Sequence, residues 1–161
     1  MAIRKAVLSD LDTLLEIYAI ARDFMASYGN AHQWQEGYPS RKILIRDLQA
    51  GHLFVDEIDG EIEGCFVFFI GEDPSYLQID GAWLNQEAYG VVHRIASRRR
   101  IPHIGEKMLQ YCIDQVDNMR IDTHHDNIPM QKMLKKFGFV HVGTIELIGN
   151  HEKRLAFQLA K

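Results

Sequence analysis

The sequence predicts an α/β protein with a mixed, mostly antiparallel sheet and helices on both of its faces. Two observations support this prediction. Segments rich in β-branched and aromatic residues alternate with segments whose apolar residues recur at helical spacing, in the order β-α-α-β-β-β-α-β-α-β-β. In addition, Asp59-Gly60 separates two β-rich runs, HLFVDEI and EIEGCFVFFI, and this dipeptide is typical of a tight hairpin turn.

Capping residues define the helices of the N-terminal half. A short strand, AIRKA, precedes a helix for which Ser9 and Asp12 predict a capping box. Ser40 predicts the start of a second helix, which Gly51 ends. We therefore expect two helices between the first strand and the hairpin.

The C-terminal half alternates strands and helices. YGVVHRIAS is a β-branched run and predicts a central strand, and the apolar spacing becomes helical from Ile104 onward. MRIDTH predicts the next strand, and Asp126 is expected to cap a helix that Gly138 ends. FVHVGTIEL and HEKRLAFQLA predict the last two strands.

Composition favours one globular domain over residues 1–161. The chain has 161 residues, of which 47% are apolar and 25% charged, and no repeat or linker-like tract interrupts it. Eighteen Lys and Arg against 22 Asp and Glu give a net charge of -4. This balance argues against a protein that works mainly by binding nucleic acid or an anionic membrane.

The apolar runs predict a soluble, cytoplasmic protein. The N-terminal segment MAIRKAVLSDLDTLL lacks the apolar core of a signal peptide, and the longest apolar run, CFVFFI, is too short to span a bilayer. Cys65 and Cys112 lie on apolar faces, so we expect buried free thiols rather than a disulfide.

The turn after the central strand contains three consecutive arginines, Arg98, Arg99 and Arg100. A strand, a tight turn and a helix N-terminus bring backbone N–H groups and the positive end of the helix dipole together, which stabilises a bound anion. We interpret this turn as a pyrophosphate site. A nucleic-acid patch and a solvated surface turn are the alternatives for the triplet.

The same turn carries a family resemblance. RIPHIG is similar to the Arg/Gln-x-x-Gly-x-Gly/Ala motif of the GNAT superfamily of N-acetyltransferases, with Arg100 at the first position and Gly105 at the last. His103 stands where the family has glycine. Pro102 lacks an N–H, so the turn offers one backbone donor fewer than the family motif.

A second motif supports the resemblance. DNIPMQKMLKKFGF is similar to the family's block in which an asparagine opens a helix beside the pantetheine arm and Gly-Phe ends it; Asn127, Met130, Gly138 and Phe139 match. HRIAS, QWQEGYPS and DTHHDN also resemble a group of small bacterial members whose acceptors are mostly unassigned. The resemblance implies the GNAT acyl-CoA N-acyltransferase fold, whose sheet splays between its fourth and fifth strands.

The resemblance also implies acetyl-CoA (coenzyme A) as cofactor. It implies that the thioester lies where the two strands splay and that the phosphates contact the turn. The implied cofactor-binding residues are Ile95, Ala96, Arg98, Arg99, Arg100, Ile101, His103, Ile104, Gly105, Glu106, Asn127, Met130 and Lys136.

Direct acetyl transfer to an amine needs a base, and two residues are candidates. Asp122 lies five residues before Asn127, where some ribosomal-protein acetyltransferases of the family carry a glutamate. His93 precedes the turn and titrates near neutral pH in its ordinary state. The alternatives are a solvated aspartate at a strand end and a structural histidine. Leu134 occupies the position of the tyrosine that usually protonates the thiolate.

The segment QWQEGYPS lies where the family places its acceptor-binding wall. Trp34, Glu36 and Tyr38 combine two aromatic rings with a carboxylate, which suits a cationic amine. The alternative is that both rings cover the edge of the core.

The triplet His124-His125-Asp126 is predicted not to bind a metal ion. Adjacent histidines on a strand point to opposite faces, and no further ligand has matching spacing. We therefore expect surface polar residues and a helix cap here.

These observations predict an acetyl-CoA dependent N-acetyltransferase that acts on a primary amine of a small molecule or a peptide. A non-catalytic acyl-CoA-binding domain is the first alternative, because of His103 and Leu134. A further alternative, that the protein is an RNA-binding module, rests on the arginine triplet alone. Pairing of exposed edge strands into a homodimer stays open.

Overall fold

A computed structural model of the protein describes residues 2–161 and divides them into two compact units. The first unit comprises residues 2–69 and 92–112, and the second comprises residues 70–91 and 113–161. Within the described residues, no helix combines the length and the apolar character that crossing a membrane requires.

The first unit contains antiparallel strands and the helices that follow the first and the fifth strand. The elements that lie wholly or mostly in it are β1 (Ala2–Lys5), α1 (Leu11–Ser27), α2 (Arg41–Gln49), β2 (Leu53–Ile58), β3 (Glu61–Ile70), β5 (Gly90–Ser97) and α3 (Ile104–Ile113). β1 pairs with β2, and β2 pairs with β3, both antiparallel. The two-residue hairpin turn is confirmed, because Asp59 and Gly60 both have positive φ, 52° and 81°.

The core of the first unit forms between α1, α2 and the strands. Leu14, Ile17 and Tyr18 of α1 are fully buried, as are Leu44 of α2 and Val55 of β2. Leu14, Ile17, Tyr18 and Ala21 recur at helical spacing, so they form one face of α1. Burial of each large aliphatic side chain contributes about 1.5 to 3 kcal/mol.

The start of α1 differs from the predicted capping box, which is wrong. The helix begins at Leu11, and the Asp10 carboxylate accepts hydrogen bonds from the Val7 N–H and from Arg4, each at 2.8 Å. Asp12 instead pairs with Arg41. Asp10, the residue after Ser9, therefore accepts the backbone hydrogen bond of this turn, and Arg4 lies close enough to pair with its carboxylate.

The predicted limits of α2 are confirmed. The Ser40 hydroxyl accepts a hydrogen bond from the Ile43 N–H at 3.3 Å, and Gly51 follows the helix with φ 77°. Both cysteines, Cys65 and Cys112, are buried and free, as predicted.

The second unit contains one parallel and several antiparallel strand pairs. Its elements are β4 (Asp80–Gly81), β6 (Asn118–Thr123), α4 (Ile128–Lys136), β7 (Val140–Glu146) and β8 (Lys153–Ala160). Gly90 and Val91, the first two residues of β5, belong to this unit and pair in parallel with Met119 and Arg120 of β6. β6 pairs with β8, β8 with β7, and β7 with β4, all antiparallel. The mixed, mostly antiparallel α/β class is thereby confirmed.

Helix α4 is capped by Asn127, so the prediction of Asp126 as the cap is wrong. The Asn127 side-chain oxygen accepts a hydrogen bond from the Met130 N–H at 3.2 Å. Gly138 follows the helix with φ 91°, which confirms the predicted end.

Candidate active site

The turn of residues 98–103 leads from β5 to the N-terminus of α3. His103 has φ 67°, and its carbonyl accepts the first helical hydrogen bond, from the Lys107 N–H at 3.0 Å. The left-handed conformation is one that glycine adopts without strain and that costs another residue about 1 to 2 kcal/mol. His103 thus adopts the backbone conformation that a glycine at the same motif position would favour. The first N–H groups of an α-helix have no partner within the helix itself, so the start of α3 is polar.

Arg98 and Arg99 contact other parts of the first unit. Arg98 donates to the Ile62 carbonyl at 2.9 Å and to the Glu16 carboxylate at 2.8 Å. The Arg99 guanidinium lies over the Phe24 ring, 3.2 Å from its centroid. These contacts hold the turn on the first unit, and they leave the guanidinium groups engaged.

Arg100, at the first position of the family motif, pairs with two carboxylates. Its Nη2 donates to Glu61 and to Glu63, each at 2.6 Å. Hydrogen bonds to Glu63 and then Glu61 raise the pKa of Arg100 above its ordinary value. Together with the contacts of its neighbours, this pairing means that the arginine triplet is not an open basic surface.

The N-terminal half of α3 lies directly on the sheet of the first unit. Gly64 on β3 has no room for a side chain, since a Cβ there would meet Ile104 and Met108 at 2.8 Å. The Lys107 ammonium donates to both oxygens of the fully buried Asp56 carboxylate at 2.8 Å. These contacts fix the position of the helix start that would bind a phosphate.

His93 lies on β5, half-buried, with its ring centroid 6.1 Å from that of Phe69. Of the cofactor candidates on the same strand, Ile95 is half-buried and Ala96 is buried. Arg94, which lies between His93 and Ile95, has φ 49°, and its carbonyl accepts a hydrogen bond from the Tyr18 hydroxyl at 2.8 Å. The strand is therefore irregular at the residue after His93.

The predicted acceptor wall is half-buried on the first unit. Trp34 contacts the Tyr18 ring edge-on, with centroids 5.6 Å apart, and lies 6.2 Å from the Tyr38 ring. Glu36 is exposed. The rings thus pack at the margin of the core, as the alternative reading expected, and still keep part of their surface accessible.

Two residues that the sequence did not single out hold Tyr38 in place. Arg94 donates to the Tyr38 hydroxyl at 3.1 Å and to the buried Asp47 carboxylate. Arg22 donates to the Tyr38 carbonyl at 2.8 Å. A signal for this cluster was present, because Asp47 is an acidic residue on the apolar face of α2.

In the second unit, Asp122 accepts a hydrogen bond from the Tyr76 hydroxyl at 2.6 Å. Tyr76 is 1% exposed, and its burial raises the pKa of the phenol well above the ordinary value. Tyr76 therefore stays a donor to the Asp122 carboxylate across the neutral pH range. Sequence reasoning missed Tyr76, which lies in the irregular segment between β3 and β5.

The cofactor candidates on α4 differ in exposure. Asn127 is buried at the helix start, Met130 is half-buried, and Lys136 is exposed in the last turn. Leu134, at the position of the family's tyrosine, is fully buried. The Leu134 position therefore supplies only apolar contact.

The geometric reason for excluding a metal at the histidine pair is wrong. β6 ends at Thr123, so strand alternation does not continue, and the His124 and His125 rings stack with centroids 4.2 Å apart. Their ring nitrogens and an Asp126 oxygen lie within 4.8 Å of one another. The Asp126 N–H donates to His124 Nδ1 at 3.0 Å, and burial lowers the pKa of His124.

Comparisons with known proteins identify the family and the fold of this chain. The model of the Acetyltransferase (GNAT) family matches residues 14–139. A GNAT-family acetyltransferase structure from Streptococcus agalactiae 2603 shares 31% identity at a TM-score of 0.88, covering 99% of this chain and 95% of that one. No curated protein matches the sequence significantly.

Two more distant structures share the fold. An N-acetyltransferase from Staphylococcus aureus Mu50 is 21% identical at a TM-score of 0.64, covering 99% of this chain and 97% of that one. The acetyltransferase yncA from Salmonella typhimurium, solved with its cofactor acetyl-CoA, is 18% identical at a TM-score of 0.64, covering 99% and 93%. With the family model matching most of its length, the chain belongs to the GNAT acetyltransferase family.

Proposed function

We propose that the protein is an acetyl-CoA dependent N-acetyltransferase that acetylates a primary amine of a small molecule or a peptide by direct attack. The observation that carries this proposal is the β5–turn–α3 segment, where the turn of residues 98–103 leads directly into the N-terminus of α3, the positive end of the helix dipole. Acetyl-CoA, when bound, supplies the acetyl group as an activated thioester. The family membership supports acyl transfer in general.

In this proposal the first unit binds the cofactor's phosphates. The backbone of Ile104, Gly105 and Glu106 donates to the pyrophosphate with help from the helix dipole, and His103 keeps the backbone turned toward it. Arg98, Arg99, Arg100 and Ile101 border the phosphates, and Ile95 and Ala96 on β5 contact the thioester end. The contacts that these arginines make within the unit support a role in holding the turn in place. Only those guanidinium N–H groups that are not already hydrogen-bonded within the protein would contact the phosphates.

Within the second unit, α4 and Asp122 carry further proposed roles. Asn127 and Met130 border the pantetheine arm, and Lys136 contacts the 3′-phosphate. Asp122 accepts the proton that the amine must lose, and Tyr76 supports this role because its hydrogen bond fixes the orientation of the carboxylate. His93 on β5 is the second candidate for the base.

Trp34, Glu36 and Tyr38 are proposed to contact the acceptor. The exposed Glu36 carboxylate attracts an ammonium group, and the two rings offer their faces to it. Arg22 and Arg94 support this proposal because they hold Tyr38 at the backbone and at the hydroxyl.

A non-catalytic acyl-CoA-binding protein is the second candidate, and the buried Leu134 favours it because the usual tyrosine hydroxyl is missing there. Release of free thiol from acetyl-CoA, followed against a panel of amines and short peptides, separates the two. Saturable acetyl-CoA binding without amine-dependent thiol release would favour the second candidate.

The base is tested with Asp122→Asn and His93→Ala. We expect the variant that lacks the base to lose at least about a hundredfold in turnover, the lower end of what general-base catalysis contributes, while its Kd for acetyl-CoA stays unchanged. Asp117→Asn, an exposed aspartate beside the start of β6, is the matched control. Unchanged turnover in both variants would refute the base assignment without touching the family membership.

A further inference from the structure

The second unit contains a cavity of about 340 Å³ that none of the predicted site residues lines. Its walls include the rings of Tyr76, Trp83 and Tyr89 and the side chains of Glu72, Glu87 and Arg120. It shares no residue with the 34–38 segment. The cavity is therefore lined by three largely buried aromatic rings and two carboxylates, none of which belongs to the predicted site residues.

The aromatic wall is held by hydrogen bonds. The Tyr76 ring lies 5.3 Å from the Trp83 ring and 6.2 Å from the Tyr89 ring, and the Trp83 indole donates to the Tyr76 carbonyl at 2.9 Å. Asp73 caps the short turn that carries Tyr76, accepting from the Ser75 N–H at 2.9 Å. Because the rings are fixed before any ligand arrives, little side-chain entropy is lost on binding.

The charges that line the cavity favour a cation. Glu72 and Glu87 are exposed, and within residues 2–161 neither carboxylate has a hydrogen bond or an ion pair. Arg120 is 4% exposed, lies 4.4 and 4.2 Å from the Trp83 and Tyr89 centroids, and donates to the Asn85 carbonyl at 2.8 Å, while its Nε has no hydrogen-bond partner among the residues that the structure describes. The two carboxylates of the lining thus outnumber its one guanidinium. Two uncompensated carboxylates beside aromatic rings attract an organic ammonium ion.

Tyr76 links this cavity to the proposed base. Its ring belongs to the wall, and its hydroxyl donates to Asp122 at 2.6 Å. Tyr76 and Asp122 are 46 residues apart in the chain, so the pairing depends on the folded second unit. An ammonium ion in the cavity therefore lies against the residue that orients the carboxylate.

We propose that this cavity binds the acceptor as an organic ammonium ion and that Tyr76 is the positioning residue for Asp122. The inference rests on the proposed N-acetyltransferase function and adds a recognition site to it. Glu72 and Glu87 attract the ammonium group, and the rings of Tyr76, Trp83 and Tyr89 contact its alkyl part. One proton of the ammonium group would pass to the Asp122 carboxylate, which leaves a neutral amine with a lone pair. Attack of that lone pair on the acetyl carbon would form the C–N bond as the C–S bond breaks, and the second proton lost from nitrogen would neutralise the departing thiolate.

Binding is tested without acetyl-CoA, by titrating the protein with 1,4-diaminobutane and following the indole N–H resonance of Trp83, assigned with a Trp34→Phe variant. We expect a saturable shift, and at least about a fivefold increase in Kd for Glu72→Gln/Glu87→Gln, from the loss of two charge contacts. Glu146→Gln, an exposed glutamate of the same unit, should leave Kd unchanged. No shift, or equal Kd in the double variant, overturns the cavity as a cation site.

The positioning role is tested by a double-mutant cycle with the acceptor that the amine panel finds. Tyr76→Phe should lower kcat about fivefold to tenfold with KM for acetyl-CoA unchanged, because one hydrogen bond to a carboxylate is lost. In an Asp122→Asn background the same change should alter kcat less than about twofold. Equal losses in both backgrounds overturn the role of Tyr76. If no amine is acetylated, the proposed function fails, whereas the diaminobutane titration still decides the cavity.

Discussion

The Arg100 guanidinium is bound to Glu63 on β3, with Nη2 and a carboxylate oxygen 2.6 Å apart. Glu63 is 4% exposed, so it holds the arginine of the family motif against the sheet. Arg100 therefore shapes the turn, and the phosphate contact proposed for it would compete with this ion pair.

Glu63→Gln should make acetyl-CoA bind more tightly. The neutral amide keeps the size of the side chain, removes one negative charge near the proposed phosphate turn, and leaves Arg100 with Glu61 as its one charged partner among these two carboxylates. We expect Kd, measured by calorimetry, to fall about threefold and to become more dependent on salt. Glu57→Gln, on β2 and paired with Arg4, is the control. Weaker binding in Glu63→Gln would mean that the ion pair is needed to shape the site.

His103→Gly should stabilise the turn relative to His103→Ala. Both variants remove the imidazole, but only glycine adopts φ 67° without strain. We expect the free energy of unfolding of the glycine variant to exceed that of the alanine variant by about 1 kcal/mol. Urea denaturation measures it, and equal stabilities would show that the left-handed conformation is not maintained.

Lys107→Met should destabilise the protein through Asp56. Methionine keeps the apolar stem but leaves a fully buried carboxylate without its cation, which costs about 3 kcal/mol or more. Adding Asp56→Asn removes the uncompensated charge, so the double variant should recover part of the loss. A double variant less stable than Lys107→Met would contradict this explanation.

The cysteines should be inert in the folded protein. Burial raises the pKa of the Cys65 thiol to about 12 and also raises that of Cys112. Because the thiolate is the reactive form, both thiols stay protonated at pH 8 as long as the chain is folded. A disulfide reagent should therefore react with them only in denaturant, and fast labelling of the native protein would contradict this prediction. The same inertness keeps the background low when free coenzyme A is measured.

The sequence predicted the elements better than the contacts between them. Hydrophobic periodicity and the turn residues Asp59, Gly60, Gly51 and Gly138 act locally, so the strands, helices and hairpin follow from short windows. Helix starts were less certain, because Ser9 and Asp10, or Asp126 and Asn127, are neighbouring residues that can each cap. Which one does depends on partners such as Arg4 that only the folded chain supplies.

Candidate site residues can be named from the sequence where a motif carries them, whereas contacts between distant residues cannot. Asn127 and the 98–106 segment lie in motifs that can be read in order along the chain. Tyr76 and its bond to Asp122 could not be found this way, because Tyr76 lies in an irregular segment without periodicity. The ion pairs of the arginines likewise depend on carboxylates from other elements, which spacing along the sequence does not reveal.

The most direct test of the proposed function is amine-dependent release of free coenzyme A from acetyl-CoA, with the product identified by mass spectrometry. We predict that at least one primary amine or peptide accelerates thiol release and becomes acetylated on nitrogen, and that Asp122→Asn or His93→Ala slows this release without weakening acetyl-CoA binding. Saturable acetyl-CoA binding with no amine-dependent release across the panel would contradict catalysis and leave an acyl-CoA-binding protein.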